Sequence, residues 1–119
     1  MASLSATKAE ELEREILEEL TDDYLGMWEI VRLVRDKLGT EDAAAVREST
    51  MRLIETMLMH GLIRPGLARN DGTFDAWDLD PGRASAEIEH RWEELGRMPS
   101  LGEIAWFDLT PYGEKVAHS

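Results

Sequence analysis

Leu53-Ile54-Glu55-Thr56-Met57-Leu58-Met59-His60-Gly61-Leu62-Ile63-Arg64 changes its conformational signal midway. Up to His60 the apolar residues recur at helical spacing. After Gly61 they run on as an extended segment rich in β-formers. Glycine is the residue that tolerates the left-handed conformation ending a helix, so the stretch predicts a helix stopped at Gly61 and a strand starting at Leu62. Pro65-Gly66 is expected to halt that strand.

Upstream of it the pattern stays helical. Thr40 offers a cap, Glu41 and Asp42 suit the positive end of a helix dipole, and nothing breaks the run to His60. Val46, Leu53 and Met57 lie beside Met51, Ile54 and Leu58, so this third helix is expected to bury a wide surface between neighbours. A second helix is expected from near Trp28 to Leu38, carried by Ile30, Val31 and Val34 and stopped by Gly39, with Thr21-Asp22-Asp23 as cap or turn before it. A first helix starts at the Thr7-Lys8-Ala9-Glu10 capping box and carries Leu12, Ile16, Leu17 and Leu20 on one stripe. Residues 1–6 are expected to be unstructured.

Downstream, Asn70-Asp71-Gly72 signals a tight turn ahead of a strand over 73–79, giving a hairpin. Asp80-Pro81 is a cap and first-turn pair, and Ala84, Ile88, Trp92 and Leu95 then recur up to Gly96. This helical insertion, 81–96, is expected to lie against the flanking strands. Ile104 to Leu109 reads as a further strand, and Thr110-Pro111 opens a short helix from Tyr112 to Ala117. The whole is an α+β fold, mainly α, in one domain over 1–119.

Two of these stretches resemble a known family. The quoted Leu53 to Arg64 run is similar to the end of the third helix and start of the wing in winged helix-turn-helix regulators of the MarR and PadR kind. Phe107-Asp108-Leu109-Thr110-Pro111-Tyr112-Gly113-Glu114-Lys115-Val116 resembles the end of the wing in the same group, where a strand leads into a Leu-Thr-x-x-Gly helix start. The resemblance implies a three-helix core, a small antiparallel β wing, and here an inserted helix between the wing strands. It also brings DNA-binding transcriptional regulation as one expected function, with Arg47, Arg52, Arg64 and Arg69 as contacts.

The charge argues against that function. Twenty-five acidic against thirteen basic residues leave the chain at −12, which repels phosphate backbones and anionic lipid. The third helix itself carries Glu48 and Glu55 beside Arg47 and Arg52. No apolar run is long enough to span a bilayer, and the first twenty residues carry glutamates where a signal peptide would be basic and then apolar. With no cysteine the chain has no disulfide, thiolate metal site or cysteine nucleophile, which suits a reducing cytoplasm.

Chemistry-bearing patterns are sparse. Asp71, Asp75, Asp78 and Asp80 do not match a calcium loop, His60, His90 and His118 have no ligand spacing, and nucleophile-elbow, phosphate-loop and zinc-hydrolase motifs are missing. No metal, cofactor or catalytic residue is expected. Trp77, Trp92 and Trp106 fall on the two wing strands and the inserted helix, where they form either core or an aromatic contact patch. The expected function is a non-catalytic protein-interaction or regulatory module, with a protein partner and room for a homodimer. The DNA-binding regulator is the first alternative. A second is an acidic decoy or immunity-type inhibitor of a basic partner, suggested by Glu10, Glu11, Glu13, Glu15, Glu18 and Glu19.

Overall fold

A computed structural model describes residues 3–119. The fold is α+β, mainly helical, with a four-stranded antiparallel sheet. Helix α1 spans Ala6–Leu20, strand β1 Leu25–Gly26, α2 Met27–Leu38, α3 Ala43–Met59, β2 Ile63–Ala68, β3 Phe74–Ala76, α4 Pro81–Leu95, β4 Trp106–Leu109 and α5 Pro111–Ala117. The strand order is β1-β4-β2-β3. No helix among the described residues is long and apolar enough to cross a membrane.

The helix ends show how local chemistry competes with nearby alternatives. Ser5, not Thr7, caps α1, its hydroxyl accepting from the Lys8 amide at 3.2 Å, while Leu4 packs against the core. Met1 and Ala2, the start of the stretch expected to be unstructured, lie outside the described residues. Asp42 rather than Thr40 caps α3, accepting from the Ala44 amide, because the Thr40 hydroxyl instead accepts from the Asp42 amide and closes a turn of its own. Gly61 ends α3 at φ +70, as its position predicts. Asp80 and Pro81 open α4 and Gly96 closes it at φ +70.

Two strand boundaries differ from expectation. Strand β2 runs through Pro65-Gly66 instead of stopping there. Pro65 can still accept, and its carbonyl takes the Trp77 amide at 3.0 Å, so its missing N–H costs one rung at the end of the β2–β3 ladder. Gly66 is required because the Phe74 ring and the Asp75 carbonyl occupy the space of a Cβ. Strand β4 begins at Trp106, two residues late, because Ile104 sits at φ +70 and the Ala105 amide turns back to the Glu103 carbonyl at 2.9 Å. Strand β3 is likewise shorter than the expected 73–79. Strand β1 is two residues long and was not foreseen, since so short a strand leaves no alternation to read.

The inner face of the sheet and the apolar stripes of the helices share one core. Ile16, Met27, Ile30, Val34, Ile54, Met57 and Phe107 are fully enclosed in it. At its base the Thr110 hydroxyl donates to the Gly61 carbonyl and accepts from the Gly113 amide, tying the end of α3 to the start of α5. Gly113 is packed so closely on the Leu62 carbonyl that a Cβ would overlap it.

The inserted helix corrects one expectation. Its main neighbour is α3, not the strands on either side of it in the chain. Ala84, Ser85, Ile88 and Trp92 are buried on its inner face, and Arg47 of α3 pairs with Glu93 of α4 at 2.9 Å. The reason is surface supply. Helix α3 buries Val46, Met51, Leu53, Ile54, Met57 and Leu58, more than a single stripe, and Ala84, Ile88 and Trp92 of α4 join the same core.

Candidate functional site

The three tryptophans do not form one patch. Trp92 is 2% exposed in the α3–α4 seam, under the Arg47 guanidinium at 5.4 Å from the ring centre. Trp77 follows β3 and is covered by Arg91 of α4 at 4.3 Å. Trp106 lies on β4 and meets a different indole, Trp28, edge to face with centroids 5.0 Å apart and planes at 89°. Sequence spacing placed Trp92 against Trp106 only on the premise that α4 covers the strands.

The four arginines proposed as DNA contacts are each held by a carboxylate. Arg47 pairs with Glu93, Arg52 with Glu48 at 3.0 Å, Arg64 with Asp108 at 3.1 Å and Arg69 with Asp75 at 2.7 Å. The side of α3 left to solvent carries Glu48, Arg52, Glu55 and Met59, so it presents no basic stripe. Aspartates 71, 75 and 80 are spent locally, on Thr73, on Arg69 and on capping α4. His90 lies 2.6 Å from Glu94 on α4, His60 is exposed just past α3, and His118 caps α5.

A different surface gathers aromatic side chains. The register aligns Gly26, Trp106, Gly66 and Ala76 in one row across the outer face of the sheet, with Arg64 and Asp108 in the next. Trp106 thus stands between two glycines. The Trp28 ring folds over Gly26, and the Phe74 ring lies over Gly66, each filling space that a Cβ would take. Tyr24 extends the layer, 5.0 Å from Phe74 by ring centres, and its hydroxyl donates to the Gly72 carbonyl at 2.9 Å, holding the β2–β3 turn over the sheet. No protein-family model, no curated protein and no solved structure matches the chain.

Two open grooves flank this layer. One, of about 610 Å³, is walled by Trp28, Trp106 and the exposed Leu101 and rimmed by Glu18, Glu19, Asp22, Asp23 and Glu29. The other, of about 740 Å³, runs between the β2–β3 turn and the starts of α5 and β1, with Asp22, Asp23, Asp108 and Glu114 against Arg64 and Arg69. Burial lifts the Glu29 carboxyl above its ordinary range, Glu19 and Asp23 push the same way, and Arg32 opposes them. Chemically this is a surface of aromatic faces and exposed carboxylates, suited to receiving positive charge.

Trp28, Tyr24 and Phe74 were not among the residues singled out from sequence. The usable signal was the pair of glycines, Gly26 and Gly66. A glycine within a strand marks close approach by something else, but what approaches is settled by strand register.

Proposed function

We propose that this chain is a non-catalytic protein-interaction or regulatory module on a winged-helix-like scaffold. The element order and the antiparallel pairing of the sheet support that scaffold, with β2, β3 and β4 in the wing and α4 inserted between β3 and β4. In DNA-binding domains of this kind the helix corresponding to α3 enters the major groove, and its exposed side chains read base edges. Here α4 lies along α3 and pins Arg47. The observation that carries the reading is that Arg47, Arg52, Arg64 and Arg69 already have carboxylate partners, in a chain of net charge −12. Contact with phosphate would require breaking those pairs while bringing like charges together. A cysteine-free chain of this composition suits the cytoplasm.

An anisotropy titration of labelled random duplex DNA near 0.15 M salt tests the reading. No binding is expected into the micromolar range, and submicromolar binding overturns it. The acidic decoy or inhibitor is the second reading, favoured by the carboxylates that rim both grooves.

A further inference from the structure

The chain treats its aromatic rings unevenly. Arg91 covers Trp77, Arg47 covers Trp92 and Arg64 covers Phe74, so three rings receive a guanidinium from within the molecule. Among the described residues, Trp28 and Trp106 receive none, although they pack edge to face on the outer side of the sheet and are only half-buried. They also stand beside Glu18, Glu19, Asp22 and Asp23, which take part in no ion pair among the described residues. Indole faces without a cation, next to carboxylates without a cation, have one complementary group: a guanidinium that stacks on the ring while its edge pairs with a carboxylate.

We infer that the outer face of the sheet, centred on Trp28 and Trp106, docks an arginine-bearing segment of a partner protein. The inference rests on the protein-interaction reading and names the partner's chemistry. A second copy of this chain does not suit the face, because it would bring another −12 of charge against the same carboxylates. Lysine supplies charge without a planar face, so arginine is preferred. Both grooves are open, and an extended segment laid across the sheet would present alternate side chains to the rings.

The test titrates the full chain with a synthetic peptide of about ten residues carrying arginine at alternate positions, and with its lysine and citrulline versions. Indole fluorescence and calorimetry are read at low and high salt. The arginine peptide is expected to bind, to perturb indole emission, to weaken with salt, and to exceed both other versions. The triple variant E18Q/E19Q/D22N should weaken it by about tenfold or more, while E41Q/E55Q/E89Q, which removes equal charge elsewhere, should weaken it by about threefold or less. Trp28→Leu should remove the preference for arginine over lysine. Since the acidic positions are all exposed, the paired triples keep the test valid if Trp28→Leu fails to fold. Equal weakening by the two triples, no binding of the arginine peptide, or a dimer in sedimentation that Trp28→Leu dissolves would each overturn the site. Those outcomes leave the broader reading standing, whereas duplex DNA binding by the wild-type chain would overturn that instead.

Discussion

Gly61 and Gly113 are both glycines for physical reasons, but for different ones. Gly61 sits at φ +70 with open space around the missing Cβ, so only the backbone conformation penalises a side chain there. Gly61→Ala should cost roughly 1–2 kcal/mol, and Gly61→Asn should recover part of it, because asparagine tolerates the left-handed region. Gly113 has an ordinary φ, but a Cβ would collide with the Leu62 carbonyl, which is backbone and cannot rotate away. Gly113→Ala is therefore expected to cost about 1–3 kcal/mol or more, with no rescue by asparagine. Thermal melts of the four variants separate the two mechanisms. Glu103 offers a pH test at the same scale. Its carboxylate accepts from both terminal nitrogens of Arg97 and from the amide and hydroxyl of Ser100, which holds its pKa down to about 2. A depressed pKa stabilises the fold at pH values above the unfolded value near 4.5 and loses that effect as pH falls towards 2. The difference in melting temperature between wild type and Glu103→Gln should be present at pH 7 and shrink steadily below about 4.5.

Helix α4 and both of its caps are legible in the sequence, but its docking surface is not, since it packs on α3 and not on the strands. The caps are local: Asp80 reaches the Arg83 amide within one turn, and Gly96 needs only its own backbone freedom. The docking partner is not local, because an apolar stripe records that something covers it and not what does. Since Trp92 is buried against α3, Trp92→Ala should cost about 3–5 kcal/mol, and its emission should resist soluble quenchers. Near-wild-type stability would show that α4 is only loosely attached. Removing the Arg47–Glu93 pair alone should matter far less, within about 1 kcal/mol, because the Glu93 carboxylate is largely exposed.

Across the whole molecule, charge sets the response to solution conditions. At −12 the folded chain repels itself more than the expanded chain does, so raising salt from about 20 mM to about 0.5 M should raise the melting temperature. Glu13 and Glu29 act in the same sense. Burial raises both carboxyl groups above their ordinary range, and neighbouring acids add to it. A raised pKa gives stability that is present below the unfolded value and lost as pH rises through the folded one, so at neutral pH these two residues oppose folding. Glu29→Gln should therefore melt higher than wild type at pH 7, with the gap closing as the solution is acidified through the carboxylate range. This trend runs opposite in direction to that expected at neutral pH for Glu103→Gln.

What the amino-acid order determined alone has its cause within a few residues, although where two such causes compete, as at the caps of α1 and α3 and at the Ile104 turn, the structure chose between them. Determined in this way are the helical periods, the glycine stops at 39, 61 and 96, the Asp80-Pro81 and Thr110-Pro111 helix starts, and the turn at Gly72. Net charge was equally legible, because it depends on composition and not on arrangement. The tertiary structure decided which surfaces meet. Only strand register puts Trp106 between Gly26 and Gly66, and only the β1–β4 pairing brings Trp28 from the start of α2 to an indole 78 positions later in the chain. The carboxylate partners of Arg47 and Arg64 and the guanidinium over Trp92 were hidden for the same reason. Each lies 44 or more residues away, a separation over which periodicity carries no information and packing alone makes the choice.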